Sequence, residues 1–253
     1  MSRLLIIPAA GSGSRLGADV PKVLVRVDGM TLLERLLMLY RRWIDHVIVV
    51  VNPAFEGLVL QHVRDGPDAE RLTLVQQREP TGMLDAILLG TTTAARVQPS
   101  SVWVTWCDQV AVHPRTIERL AARTATASDA SIVMPTVMQP RPYIHLERDA
   151  EGRIVRVLHR REGDPMPEVG ESDMGLFALS RTTYLDRLPA YADQVEIGRT
   201  TGERNFLPFI PWLARTETIV TFGAENPMEA IGINTPQDLR EVEQYLRSLS
   251  PEP

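Results

Sequence analysis

A doubly wound α/β fold with a mostly parallel sheet is predicted by three features of the sequence. Short, almost continuous apolar runs recur at Leu4–Pro8, His46–Val51, Leu72–Val75, Val102–Trp106 and Ala130–Pro135, the pattern of strands buried on both faces of a parallel sheet. Stretches of helical periodicity separate them, and alternation of the two kinds of element is the mark of this fold class. The first run leads into a glycine-rich turn containing Gly11, Gly13 and Gly17, and open α/β sheets hold their ligands at the carboxyl ends of their strands.

The elements follow in order. Thr31-Leu-Leu-Glu34 is a capping box for a helix whose Leu32, Leu33, Leu36, Leu37 and Tyr40 form one apolar stripe. Further helices are predicted from about Glu56 to Arg64, Gly82 to Ala95 and Pro114 to Arg123, and Thr235-Pro236 supplies an N-cap and a first-turn proline for the last one. From Gln139 to Phe177 the pattern changes to shorter alternating runs, Tyr143–Leu146, Arg153–Leu158 and Gly175–Leu179, separated by turn residues such as Asp149-Ala-Glu-Gly152. This region is expected to form a small antiparallel layer inserted over the sheet edge, where a second substrate is gripped.

Composition narrows the function. With 253 residues and 44% apolar content the chain can bury one large core, and no linker divides it, so one domain is expected. A net charge of −5 removes the broad basic field that nucleic acid or an anionic membrane would require, so any bound anion must be held locally. Cys107 is the only cysteine, no targeting segment follows Met1, and no apolar run approaches membrane-spanning length. A cytoplasmic protein is the expectation. Neither internal repeats nor low-complexity tracts are present, and the Pro-Glu-Pro ending is expected to fray.

The glycine turn fits neither standard phosphate loop. A dinucleotide fingerprint needs a glycine at Leu16, but the next one is Gly17, and a P-loop needs Lys-Ser or Lys-Thr where Ala18-Asp19 follows. What remains is a turn whose backbone N–H groups approach an anion closely, with two cations, Arg15 and Lys22, at set offsets to take its charge. An ordinary βα turn carrying solvated charges is the competing reading.

The stretch "PAAGSGSRLGADVPK" resembles the signature of the nucleotidyltransferases, A-A-G-x-G-x-R followed by P-K, and its five-residue gap between Arg15 and Pro21 is similar to that of N-acetylglucosamine-1-phosphate uridylyltransferase. The proline in "IIPAAG" is also similar to methylerythritol-phosphate cytidylyltransferase. Weaker matches continue in order: "QREPTG", "TWCDQ", "ESDMGLF", "TGERNFLPFI" and "AIGINTPQDL". The resemblance implies a Rossmann-like nucleotidyltransferase fold, with residues 1–135 mainly nucleotide-binding, 136–228 mainly acceptor-binding, and 229–253 carrying a metal-site strand end and the C-terminal helix. The chain stops where that uridylyltransferase would begin its acetyltransferase half, so no acetyl transfer is expected.

The implied reaction is attack by a phosphate oxygen of a phosphorylated acceptor, a sugar phosphate, on the α-phosphorus of a nucleoside triphosphate, UTP or CTP, with release of pyrophosphate. A phosphate monoester is already mostly a dianion at neutral pH, so such an enzyme needs positioning and charge neutralisation more than an acid or base. By resemblance Arg15 and Lys22 are catalytic, holding the triphosphate and the charge developing on it. Ala9, Ala10, Gly11, Gly13, Gln77 and Gly82 bind the nucleotide, and Asp108 and Asn234 hold Mg2+. Two protein oxygens suit a magnesium that completes its octahedron with water and phosphate. Taken singly, Asp108 also reads as a cap of the turn before His113-Pro114, Asn234 as a turn residue before Thr235, and Gln77 and Gly82 as turn residues before a helix. Cys107 reads as a small buried strand residue, and Tyr143, His145 and His159 as half-buried sheet side chains.

The acceptor half departs from the uridylyltransferase pattern. Arg141-Pro-Tyr-Ile-His145 replaces a tyrosine-glycine-arginine run, Leu158-His159-Arg160 a valine-glutamate-histidine, and Asp173 a sugar-binding asparagine, while Pro208 and Phe209 stand where the family has a Thr-Asp pair. N-acetylglucosamine 1-phosphate is therefore not carried over as the acceptor. His159, Arg160, Glu171, Asp173 and Glu203 are the acceptor-binding candidates, with His159, Arg160 and Arg161 suggesting a more negative acceptor, or else a solvated basic edge strand. Two further readings stay open: a cytidylyltransferase for a polyol phosphate or phosphonate, and a nucleotide-binding regulatory protein without turnover.

Overall fold

The structure is a computed structural model and describes residues 2–11 and 20–249. Strand and helix alternate through the first half: β1 (Arg3–Ala9), a small hairpin of β2 (Arg26–Val27) and β3 (Met30–Thr31), α1 (Leu32–Tyr40), β4 (His46–Val51), α2 (Glu56–Val63), β5 (Leu72–Gln76), α3 (Met83–Leu88), α4 (Thr91–Val97), β6 (Ser101–Thr105) and α5 (Pro114–Thr126). There follow β7 (Ala130–Pro140), β8 (Ile144–Arg148), β9 (Ile154–His159), β10 (Val169–Asp173), β11 (Leu176–Ser180), α6 (Leu188–Ala192), α7 (Phe209–Leu213), β12 (Thr218–Gly223) and α8 (Pro236–Leu249).

The main sheet has the order β5-β4-β1-β6-β11-β7, with β10 and β12 also paired to β7. β5, β4, β1 and β6 run parallel, β12 runs parallel to β7, and β10 and β11 are antiparallel to their neighbours. Alternate residues of each central strand enter different cores. Leu5, Ile7, Val47 and Val49 pack with α1, α2, α5 and α8, whereas Leu4, Ile6, Ile48 and Val50 pack with α3, α6, α7 and the β8–β9 hairpin. Helices on both faces are why these runs are apolar throughout. The Thr31–Glu34 capping box is present in full, and α8 starts on a Thr235 hydroxyl that accepts the Asp238 N–H at 3.2 Å.

Two expectations need correction. The helix expected from Gly82 to Ala95 is two helices, because Gly90 lies against Ile6 and Tyr184, where an added Cβ would stand 2.8 Å from each. The interrupted ladder is completed by side chains: the Tyr184 hydroxyl donates to the Ile87 carbonyl at 2.7 Å and the Thr91 hydroxyl to that of Leu88 at 2.5 Å. The antiparallel layer is also smaller than expected. Of the runs in this region only β8 and β9 form a sheet of their own, while the run Gly175–Leu179 enters the main sheet as β11, between β6 and β7. Leu176 to Leu179 are all buried, the signature of a central strand and not of a covering layer.

β10 and β11 are joined by Met174-Gly175, and this junction is tight. Gly175 has φ +62° and its position for a Cβ lies 2.1 Å from the Trp106 ring, while the backbone N–H of Trp106 donates to the Gly175 carbonyl at 2.9 Å. Asp173 is buried beside it and accepts the Gly175 N–H at 2.8 Å. Burial pushes the Asp173 carboxyl up to about 6, with that N–H opposing the rise. Gly175→Ala should therefore destabilise the fold by about 3 kcal/mol or more in urea unfolding, since both the backbone angle and the Trp106 ring forbid a methyl group. For Asp173 the native state favours the protonated form, so its contribution is complete below an ordinary carboxyl pKa of 3.8 and is lost as the pH rises through about 6. Asp173→Asn should match wild type near pH 4 and gain on it up to about 3 kcal/mol by pH 7; a pH-independent difference would mean that Asp173 ionises as if exposed.

Candidate active site

At the carboxyl end of the sheet one ammonium group gathers two distant oxygens. Lys22 Nζ lies 2.5 Å from Asp108 Oδ2 and 2.9 Å from Asn234 Oδ1. Each of the three is positioned by its own backbone. Lys22 opens a single helical turn after Pro21, in which Val25 N–H donates to the Lys22 carbonyl at 3.0 Å and the next residue, Val23, is completely buried. Asp108 follows β6, and its carbonyl accepts the Ile233 N–H at 3.3 Å. The Asn234 N–H donates to Asp238 of α8 at 2.9 Å and its side-chain NH2 to the Gly232 carbonyl at 3.2 Å, which turns Oδ1 toward Lys22. Gly232 packs between them: a Cβ there would lie 3.1 Å from the Asp108 carboxylate and 3.4 Å from the Asn234 amide. Glu229, fully buried, accepts the N–H groups of His113 and Asn226, both at 2.8 Å, and so ties the loop after β6 to the segment leading to Asn234.

At the same end of the sheet a solvent-open cleft of about 600 Å3 spans the ends of β1, β4 and β5. Ala10 and Gly11 leave β1 along it, with Asn52, Gln77, Gly82 and Glu203 on its walls; Ala9, the last residue of β1, is buried beneath them. Gln77 is nearly buried, and its NH2 donates to the Gly82 carbonyl at 3.0 Å, leaving Oε1 outside the hydrogen bonds of the described residues. Gly82 has φ +123°, and a Cβ there would meet the Arg204 carbonyl at 2.5 Å. The same contact is a two-way stitch: Arg204 N–H donates to the Thr81 carbonyl at 2.8 Å, and Leu84 N–H to that of Arg204 at 3.1 Å. The Arg204 guanidinium then pairs with Asp85. Gly13 and Arg15 lie outside the described residues.

The acceptor candidates are dispersed. Glu203 lines the cleft and pairs with Arg161 at 3.6 Å. Half-buried His159 lines a second hollow of about 360 Å3 with Glu162, Asp164 and Asn205, and burial lowers its pKa. The Arg160 guanidinium donates to the carbonyls of Arg141 and Pro142 at 2.9 and 3.1 Å, and Arg160 is not among the residues of either hollow. Glu171 is engaged by Arg148 through both oxygens, at 2.6 and 2.7 Å; burial raises its pKa, but Arg148 and Thr136 outweigh it and hold the carboxyl low. The neighbourhood of His159 is thus more acidic than the expected basic pocket. Tyr143 is exposed rather than half-buried, standing just before β8 with its ring edge on His159.

Sequence reasoning missed Asn52, Arg78 and Gly232, although the last two fall inside the motifs "QREPTG" and "AIGIN". Cys107, expected as a small buried strand residue, is only partly buried and stands in the turn after β6 beside Asp108; desolvation, followed by the Asp108 charge, still pushes its thiol up to about 12, which removes it as a nucleophile at neutral pH. Among the described residues no three His, Cys, Asp or Glu side chains form a metal cage. Asp108 and Asn234 instead offer two hard oxygens already trained on one cation, and a divalent ion that keeps water and phosphate ligands fits that donor set.

The chain is 25% identical over 248 residues to the bifunctional protein GlmU of Solibacter usitatus, covering 96% of this chain and 51% of that protein. It is 27% identical over 253 residues to the bifunctional protein GlmU of Azorhizobium caulinodans, covering 97% and 53%. The chain thus spans about half the length of the curated relatives it matches. A Bacillus anthracis structure, provisionally assigned as a glucose-1-phosphate thymidylyltransferase, superimposes with a TM-score of 0.75 at 13% identity, over all of this chain and 98% of the other, and shares the fold. No helix among the described residues is long and apolar enough to cross a membrane. The model of the MobA-like NTP transferase domain matches residues 5–201, and with that match the chain belongs to the MobA-like NTP transferase family.

Proposed function

We propose that this chain transfers a nucleoside monophosphate from a nucleoside triphosphate to a phosphorylated acceptor, a sugar phosphate, and releases pyrophosphate. The observation that carries the reading is the convergence of Lys22, Asp108 and Asn234 at the carboxyl end of the sheet, the same end at which Ala10 and Gly11 line a cleft after β1. Family membership and the resemblance to uridylyl- and cytidylyltransferases support it.

In the reaction a phosphate oxygen of the acceptor forms a bond to the α-phosphorus while the bond from that phosphorus to the bridging oxygen breaks and pyrophosphate departs in line. The chain's work is to align the two phosphates and offset their charge. Gln77 and Gly82 border the base, Gly11 and Gly13 let backbone N–H groups approach the phosphates, and Arg15 and Lys22 neutralise them. Asp108 and Asn234 would hold Mg2+, which when bound supplies Lewis-acid neutralisation of the phosphate oxygens. Glu203, on the wall of the cleft and paired with Arg161, would contact the acceptor. UTP or CTP is the expected donor.

A panel of nucleoside triphosphates and sugar phosphates with Mg2+, read as pyrophosphate release, tests the reading; triphosphate binding without turnover on any acceptor would favour a regulatory role instead. Lys22→Ala should lower kcat/KM by about a hundredfold or more, the scale of removing one preorganised charge. EDTA should abolish turnover and Mg2+ or Mn2+ restore it, while Asp108→Ala should resist that rescue at ordinary metal concentrations. Wild-type turnover in EDTA would remove the metal from the mechanism.

A further inference from the structure

We propose that the Lys22 ammonium is a built-in competitor for the divalent-cation site: it holds the Asp108 and Asn234 oxygens until a triphosphate draws it away, so the metal enters with or after the nucleotide. This inference rests on the assignment of Asp108 and Asn234 as metal ligands. Lys22 Nζ touches both assigned oxygens, at 2.5 and 2.9 Å. A magnesium taking the same two oxygens would need the lone pairs to which that ammonium now donates, and two cations crowded onto one pair of oxygens repel each other. The ammonium and the metal therefore exclude each other.

Three features make the exchange workable. The Lys22 and Asp108 side chains are 13% and 12% exposed, so the ion pair is shielded and the carboxylate does not readily remain without a cation. Asp108 and Asn234 are pinned by backbone bonds and by Gly232 packed between them, whereas Lys22 reaches them on a flexible four-carbon stem. Lys22 also belongs to the segment that follows the glycine turn, and the proposed reaction gives the same side chain a triphosphate to neutralise. Asp108 trades a monovalent cation for a divalent one, and the negative charges of the triphosphate offset both the added charge and the displaced ammonium.

With only two protein ligands, metal affinity in the absence of nucleotide is governed by how often Lys22 vacates them, and a tenth of the population free means a tenfold weaker apparent affinity. Mn2+ titration without nucleotide, followed by the paramagnetic resonance signal of free Mn2+, reads this directly. Lys22→Ala and Lys22→Gln should bind Mn2+ at least tenfold more tightly than wild type, and adding Asp108→Ala should abolish the gain. Because removing Lys22 leaves Asp108 without its partner, Mg2+ should also raise the thermal midpoint of Lys22→Ala more than that of wild type. Equal or weaker Mn2+ binding by both Lys22 variants, with wild type binding Mn2+ through Asp108 once a non-hydrolysable triphosphate is added, would overturn the competition and leave the metal assignment standing. Mn2+ binding that ignores Asp108, with and without that analogue, would overturn both.

Discussion

One ammonium group ties three remote segments together at the carboxyl end of the sheet. Lys22 bridges Asp108, which is 86 residues away in the chain, and Asn234, which is 212 away. Those segments leave different parts of the fold: one follows β1, one follows β6 and one precedes α8. β1 and β6 are paired in parallel, with Ile6 opposite Val104, so their carboxyl ends are neighbours by construction. Asn234 is brought in by α8, whose Asp238 accepts the backbone N–H groups of Asn234 and Thr235 at 2.9 and 2.7 Å. The cap that starts the last helix thus aims the amide that completes the site.

A second constraint holds the two halves of the chain together. At Gly82 the backbone of the cleft wall approaches the backbone of Arg204 too closely for any side chain. The hydrogen bonds of Thr81 and Leu84 with Arg204, and the Arg204–Asp85 ion pair, make that approach a fixed seam. Glu203, one residue earlier, is thereby held at the cleft and in contact with Arg161 beyond β9. The Gln77–Gly82 wall of the cleft and its Glu203 wall are thus held to each other.

Electrostatics in this chain is local. A net charge of −5 gives no attractive field for polyanions, yet cations are spent singly against individual carboxylates: Arg148 on Glu171, Arg161 on Glu203, Lys22 on Asp108. Buried Asp173 stands apart, with one backbone N–H as partner, and is the carboxyl that burial moves furthest toward neutrality among those resolved.

The sheet was legible because it is buried on both faces: β4 begins and ends where its apolar run does, and β1, β5 and β6 differ from theirs by a residue or so. Capping chemistry, being local, marked the starts of α1 and α8 equally well. Gly90, in contrast, breaks a helix because of Ile6 and Tyr184, partners 84 and 94 residues away that no window contains. β10 reads Val-Gly-Glu-Ser-Asp and carries no strand pattern, since its place comes from β7 beside it. Lys22, Asp108 and Asn234 were named from motifs as a phosphate-holding cation and two metal ligands, but motif order says nothing of contact. Periodicity, caps and glycine turns are properties of neighbouring residues, so the sequence alone determined the fold class and the residue types at the ends of the strands. That a lysine sits on both oxygens, that Arg160 turns to carbonyls and that β11 enters the main sheet depend on distances between remote segments, and only the tertiary structure decided them.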